Sequence, residues 1–208
     1  MTQLATRSLT FSSGNLSLEG ALHLPDAPRA PGVVVCHPHP LYGGDMANNV
    51  VVAACEALVG RGFAALRFNF RGAGNSEGTF DDGQGERDDV RAALAYIASL
   101  PEIDAQRVGL IGYSFGALMA AEAASGDLHA LALISPPVSF SDLRVAWGCP
   151  ALLLAGVMDA LAPPDRLQLI AEAPGVEMQF FEGADHTWWG FEDGLGETLG
   201  EFFGRHLR

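Results

Sequence analysis

The chain contains no lysine, so its 12 basic residues are all arginine. A Schiff-base lysine, a phosphate-loop lysine and a Ser–Lys pair are therefore excluded as catalytic devices. Acidic residues outnumber basic ones, with 25 Asp and Glu and a formal net charge of −13. Because such a surface repels phosphate backbones and anionic lipid headgroups, we expect neither nucleic acid nor a membrane as partner.

Cysteine is also scarce, and long hydrophobic runs are missing. The three cysteines are widely spaced and form no CxxC pair, so neither a disulfide framework nor a zinc site is expected. No apolar run reaches the roughly 18 residues of a membrane-spanning helix, and the N-terminus has no apolar run of signal-peptide length. These absences predict a soluble protein in the cytoplasm.

Internal repeats, low-complexity tracts and long linkers are absent too. The chain has 208 residues, of which 49% are hydrophobic and 18% charged. That length lies below the roughly 250 residues at which single cores stop growing. We therefore predict one domain over residues 1–208, with a sizeable core.

Short apolar runs alternate with segments of helical periodicity along most of the chain. The runs predict strands at residues 33–36, 63–70, 108–111, 131–134, 151–155 and 176–181. The periodic segments predict helices at residues 48–60, 86–99, 115–124, 163–173 and 195–207. Residues 8–11 and 16–24 predict an antiparallel hairpin. This α/β pattern indicates a mostly parallel sheet covered on both faces, with ligands at the carboxyl ends of its strands.

The strongest local signal is Gly112-Tyr113-Ser114-Phe115-Gly116, placed between a predicted strand and a predicted helix. A G-x-S-x-G in that context is typical of a nucleophile elbow, in which the serine occupies a strained turn. The glycines let strand and helix approach closely. The simpler alternative is that Ser114 only caps the helix. We interpret Ser114 as the nucleophile.

A nucleophilic serine needs a base, and the base needs a carboxylate to orient it. Downstream of Ser114, His186 alone among the histidines follows a predicted strand; His129 precedes one and His206 lies on the last helix. Asp159 follows the strand at 151–155, which gives the order Ser, Asp, His. Asp185 is a weaker candidate for the acid, since neighbouring residues seldom face one another.

These segments carry a family resemblance. GYSFG, MDALAPP and GADHTWWG resemble the nucleophile, acid and histidine loops of the α/β-hydrolase superfamily. HPHPLYGGD and RFNFRGAGNSEG resemble a compact bacterial branch near dienelactone-hydrolase-like and serine aminopeptidase-like esterases. The resemblance spans residues 18–205 and implies a three-layer α/β/α fold. The serine at the elbow departs from true dienelactone hydrolases, which have cysteine, so their lactone substrate is not expected.

The loop after the first central strand is predicted to supply part of an oxyanion hole. One donor is expected to be the backbone N–H of Phe115. Pro38 and Pro40 have no N–H and are excluded as the second donor. By alignment with the family's HG-x pattern, the second donor is expected to be the N–H of His39, with that of Leu41 as the alternative. The pair His37 and His39 also resembles an HxH metal site, but too few further ligands follow it, and we predict no metal.

The glycine-rich segment at residues 66–78 has the spacing GxGxxxG, which does not match a dinucleotide fingerprint. We interpret it as a structural loop. Arg71 and Asn69 are expected to bond backbone carbonyls and carboxylates there, with Asp81, Asp82 or Glu86 as partners.

The gap at residues 136–150 is too short for a cap domain, so an open site is expected. Tyr42, Leu161 and Trp188 are predicted to form an apolar wall for an acyl chain, although at least one of the tryptophans near His186 is expected only to anchor its loop. The sequence thus predicts a monomeric or homodimeric serine hydrolase that cleaves small esters or thioesters without a cofactor. A peptidase or amidase, or a binding protein with the same fold, stays as an alternative.

Overall fold

The computed structural model describes residues 5–124, 126–143 and 146–207. Its strands are β1 (Ala5–Ser13), β2 (Leu16–Leu24), β3 (Ala30–Cys36), β4 (Ala64–Phe68), β5 (Ile103–Tyr113), β6 (Ala130–Ile134), β7 (Ala151–Gly156) and β8 (Val176–Phe181). Its α-helices are α1 (Asn49–Gly60), α2 (Gln84–Ser99), α3 (Phe115–Ala123), α4 (Pro164–Ala171) and α5 (Glu192–His206). One 3-10 turn, Pro40–Tyr42, follows β3.

The described strands form one eight-stranded sheet in the order β1-β2-β4-β3-β5-β6-β7-β8. Strands β4, β3, β5, β6, β7 and β8 pair in parallel, and β2 pairs antiparallel with both of its neighbours. Every residue of β3, β6 and β7 is buried, as expected for central parallel strands covered on both faces. The predicted hairpin and parallel sheet are confirmed.

Helices cover both faces of the sheet. The core on one face joins apolar residues of α1 and α5, among them Leu58 and Phe202, to the sheet. The core on the other face joins α2 and α3, among them Ile97 and Ala117, and α4 packs beside it through Leu167. This arrangement is the predicted three-layer α/β/α fold.

The predicted boundaries differ from the observed ones at several ends. β5 begins at Ile103, five residues before the predicted start, because Ile103 and Asp104 pair with Ala30 and Pro31 ahead of a register shift. α5 begins at Glu192, where acidic residues in the first turn favour a helix start. The described part of the connection between β6 and β7 holds no helix, so no cap covers the sheet there. Among the described residues, no helix is both long and apolar enough to cross a membrane.

Candidate active site

The three predicted triad residues meet at the carboxyl-terminal edge of the parallel strands. Ser114 follows β5, Asp159 lies three residues beyond β7, and His186 lies five residues beyond β8. Because parallel strands end at the same edge of the sheet, residues distant in sequence converge there.

Hydrogen bonds connect the three side chains in the order Ser114, His186, Asp159. His186 Nε2 lies 2.9 Å from Ser114 Oγ, and His186 Nδ1 lies 3.0 and 2.9 Å from the two carboxylate oxygens of Asp159. With Nδ1–H donated to the carboxylate, Nε2 carries the lone pair that faces the serine hydroxyl. This geometry allows His186 to take the hydroxyl proton as the serine attacks a carbonyl.

The turn at Ser114 is strained, as the motif predicts. Ser114 has φ 55° and ψ −119°, a region that residues with a side chain seldom adopt. A Cβ on Gly112 would lie 2.2 Å from the carbonyl oxygen of Gly116, and one on Gly116 would lie 2.5 Å from that of His37. Close packing therefore requires both glycines. Gly112 allows α3 to approach β5, and Gly116 allows α3 to approach the loop after β3.

The strain at Ser114 predicts a measurable difference between two inactive variants. Ser114→Ala and Ser114→Gly both lose the hydroxyl, but only glycine adopts a positive φ at no steric cost. Strain of about 1–3 kcal/mol is released in the glycine variant, against roughly 0.5–1 kcal/mol of extra chain entropy. We expect the Tm of Ser114→Gly to exceed that of Ser114→Ala by about 2–4 °C in thermal unfolding. Equal values would show that the strain at Ser114 does not exceed the entropy cost of glycine, which contradicts the prediction.

Asp159 is buried and fully engaged. Besides His186, its carboxylate accepts the backbone N–H groups of Leu161 at 2.9 Å and Ala162 at 3.1 Å. Burial raises the pKa of Asp159, but hydrogen bonds from His186 and the Ser135 hydroxyl, together with the backbone N–H of Leu161, outweigh it and hold the pKa below its usual value. Asp159 is therefore a carboxylate at neutral pH, the form that orients an imidazole.

Two further contacts fix the histidine loop. The Tyr113 hydroxyl donates to the backbone carbonyl of His186 at 2.6 Å. Burial raises the pKa of Tyr113, and the charges of Asp159 and Asp185 raise it further, so the hydroxyl keeps its proton. Tyr113 is one of the two variable residues of the G-x-S-x-G motif, and its hydrogen bond links the Ser114 turn directly to the histidine loop.

The prediction that Trp188 lines the substrate site is wrong in this structure. Its side chain is 0% exposed, and its indole N–H donates to Ser135 Oγ at 2.9 Å. Trp188 has φ 62°, and its ring packs against Phe181 in the core. Trp188 therefore anchors the histidine loop, which is the role expected for at least one of the tryptophans. Ser135, which accepts the indole N–H of Trp188, also donates a hydrogen bond to Asp159.

The backbone groups predicted for the oxyanion hole are available. Neither the N–H of Phe115 nor that of His39 donates to an acceptor within residues 5–124, 126–143 and 146–207. The alternative donor, the N–H of Leu41, is already bonded to His39 Nδ1 at 3.2 Å. Free N–H groups beside a nucleophile suit a developing oxyanion, so the geometry favours His39 over Leu41.

His37 belongs to the scaffold of this loop. Its Nδ1 lies 2.6 Å from the carbonyl oxygen of Pro38, and its Nε2 accepts the N–H of Phe70 at 3.0 Å. Burial lowers its pKa to about 4, so the ring is neutral. Since both ring nitrogens are engaged, His37 has no lone pair for a metal ion, which removes the physical basis of the HxH interpretation.

Ser114 opens into a cavity of about 520 Å³. Tyr42 and Leu161, both predicted to contact substrate, line this cavity, and Tyr42 is 87% exposed. Apolar and aromatic side chains make up most of the rest of the wall: Phe80, Phe115, Leu118, Met119, Pro137 and Phe140. An open apolar pocket beside a nucleophile suits an acyl or aryl group.

The family follows from a match that covers most of the chain. Residues 14–163 match the X-Pro dipeptidyl-peptidase (S15) family. The chain belongs to this family. The matched segment includes Ser114 and Asp159 and ends before His186, so the family match does not extend to the histidine of this S15-family chain.

Relatives and solved structures agree on an α/β hydrolase. The S15-family chain is 36% identical to uncharacterized protein RP471 of Rickettsia prowazekii, over 85% of this chain and 79% of that protein. It is 30% identical to an alpha-beta serine hydrolase homologue from Coxiella burnetii, with a TM-score of 0.85 over 97% and 99% of the two chains. XC6422 from Xanthomonas campestris, a serine hydrolase without a lid, has 29% identity and a TM-score of 0.85 over 99% and 96%. The chain is thus a hydrolase of the α/β fold.

One curated relative is longer than this S15-family chain. The quorum-quenching protein AidA of Acinetobacter baumannii is 33% identical over 88% of this chain, but the match spans only 60% of AidA.

The loop after β4 differs from its prediction in the partners of two side chains. Arg71 forms a two-pronged ion pair with Asp89, a fully buried carboxylate on α2 that was not among the expected partners. Of the carboxylates that were expected as partners, that of Asp81 lies 3.9 Å from the Arg71 guanidinium, between Oδ2 and Nη1. Asn69 donates to Glu19 at 2.7 Å. These bonds hold the loop against α2 and β2.

Sequence reasoning did not identify several residues that line the Ser114 pocket of this S15-family chain. Phe80, Met119 and Phe140 all line it, yet they lie in three separate segments of the chain. Only Phe140, exposed on the loop after β6, carries a signal in the sequence: an aromatic residue in a loop that follows a strand at the active edge.

Proposed function

We propose that the chain hydrolyses small carboxylic esters and thioesters through an acyl-enzyme on Ser114. The observation that carries this proposal is the hydrogen-bonded chain Ser114–His186–Asp159 at the mouth of an open apolar pocket. A strained, 8% exposed serine bonded to a histidine is costly to maintain without a chemical use.

The proposed reaction uses only groups of this chain. His186 takes the proton of Ser114 as Oγ attacks the ester carbonyl, and Asp159 stabilises the imidazolium. The N–H groups of Phe115 and His39 bond the oxyanion. The intermediate then expels the alcohol or thiol, which receives the proton from His186. A water molecule, deprotonated by His186, attacks the acyl-enzyme and releases the acid and Ser114. No cofactor enters these steps.

A peptidase or amidase is the second candidate, and the match to the X-Pro dipeptidyl-peptidase family favours it. The same triad cleaves amides, but an amine leaves less readily than an alcohol or thiol and depends more on exact proton delivery. Without a cap, the pocket leaves much of a bound substrate in contact with solvent, which suits the less demanding ester reaction.

A matched substrate panel separates these candidates. The panel comprises p-nitrophenyl esters of increasing acyl length, a thioester of the same acids, and Gly-Pro p-nitroanilide. We expect kcat/KM for the short esters and thioesters to exceed that for the anilide by a wide margin. A preference for the anilide would identify a peptidase. Failure of the folded protein to turn over any of these compounds would contradict both enzymatic proposals.

A further inference from the structure

Among the described residues, two charged side chains line the Ser114 pocket, and both are acidic. They are Asp82 and Glu122. Glu122 is paired with Arg87 at 3.0 Å, whereas the Asp82 carboxylate makes no hydrogen bond or ion pair with any described residue. Asp82 is therefore the uncompensated charge of the pocket, in a chain whose net charge is already −13.

The backbone at Asp82 is held in an unusual conformation. Asp82 has φ 48° and Gly83 has φ 85°. Fully buried Glu86 clamps this turn, because its two carboxylate oxygens accept the N–H groups of Asp81 and Gly83, each at 2.9 Å. Asp82 is thus presented to the pocket from a fixed backbone, so little ordering is required when it meets a ligand.

Aromatic rings line the same cavity as Asp82 and Ser114. The His39 ring centroid lies 4.7 Å from that of Tyr42, 4.9 Å from that of Phe80 and 4.8 Å from that of Phe115. The faces of Tyr and Phe rings, here Tyr42, Phe80 and Phe115, attract cations within about 6 Å. Burial lowers the pKa of His39, against the opposing charges of Glu86 and Asp82, so this ring is neutral at neutral pH and does not repel a cation.

We infer that the pocket selects esters carrying an ammonium group, which Asp82 and the aromatic rings bind while the ester carbonyl lies at Ser114. This inference rests on the proposed esterase function and specifies its substrate class. An anionic ester of the same shape meets the uncompensated carboxylate of Asp82 and is disfavoured.

The experiment compares isosteric substrates that differ only in charge. In one pair, the trimethylammonio group or its neutral tert-butyl isostere is on the alcohol side: 3-(trimethylammonio)phenyl acetate and 3-tert-butylphenyl acetate. The other carries it on the acyl side, phenyl 4-(trimethylammonio)butanoate and phenyl 5,5-dimethylhexanoate. The quantity measured is the ratio of kcat/KM within each pair for wild type, Asp82→Asn and Asp81→Asn. Intrinsic reactivity cancels when variants are compared. Asp81 is the matched control, because it lies on the same turn and does not line the pocket.

In at least one pair, we expect Asp82→Asn to lower the ratio of kcat/KM for the cationic ester to that for the neutral ester by about 3- to 5-fold, as for an exposed ion pair, while Asp81→Asn leaves this ratio unchanged. Added salt should shrink the wild-type preference. An unchanged ratio in both pairs, or an equal change in Asp81→Asn, would overturn the inference. Turnover of the neutral esters by wild type keeps that result distinct from failure of the proposed function.

Discussion

We expect Ser114→Ala to lower kcat for ester hydrolysis by about 10⁴- to 10⁶-fold while the protein stays folded. The variant has no hydroxyl to attack the carbonyl, so only the N–H groups and the pocket act on the substrate. The fold is expected to survive because, within the part of the chain that the structure describes, the side chain of Ser114 makes a single hydrogen bond, to His186. Steady-state turnover of p-nitrophenyl acetate and the near-ultraviolet circular dichroism of the purified variant measure the two parts of this prediction.

Ser141→Ala is the control for that variant. Ser141 is an exposed serine that lines the same pocket and makes no side-chain hydrogen bond within the described part of the chain. Its loss should leave kcat within a few-fold of wild type. If Ser114→Ala retains activity near wild type, the nucleophile lies elsewhere.

We expect Asp159→Asn to lower kcat by about 10⁴-fold, by analogy with other Ser-His-Asp enzymes. The asparagine amide fills the same space but carries N–H groups. It favours the wrong tautomer of His186, in which Nδ1 has the lone pair and Nε2 the proton. The loss should therefore fall on kcat more than on KM, and steady-state kinetics over a range of ester concentrations separate the two.

Asp185→Asn provides the comparison, because Asp185 adjoins His186 and is the rival candidate for the acid. Its carboxylate is exposed and bonds the N–H and hydroxyl of Thr187, at 2.8 and 2.6 Å, not the imidazole. We expect this variant to keep most of its activity. A collapse of kcat in Asp185→Asn beside a mild effect in Asp159→Asn would reverse the assignment of the acid.

Much of the fold, and the convergence of Ser114, Asp159 and His186, could be predicted from the sequence because both depend on local sequence signals. A buried apolar run before Ser114 and an alanine-rich helix after it predict the elbow, whose glycines are needed for the close approach of β5 and α3. The order Ser114, Asp159, His186 at three strand ends then places the residues together, since parallel strands end at one edge.

The rest depends on long-range packing that no local pattern encodes. Trp188 follows His186 by two residues, and only the positive φ at Trp188 and the hydroxyl of Ser135 direct its ring into the core. The partner of Arg71 is Asp89, on a helix, and not one of the acidic residues in the adjoining loop. The substrate wall was predicted only in part for the same reason, because its residues come from separate loops.

The central claim is that Ser114 is an activated nucleophile, and labelling with a fluorophosphonate probe followed by peptide mass mapping tests it most directly. We expect one covalent adduct, on Ser114 and absent from His186→Ala, because only a hydroxyl deprotonated by the histidine attacks phosphorus at a useful rate. Absence of an adduct on folded wild-type protein, or labelling of Ser114 that persists in His186→Ala, would contradict it.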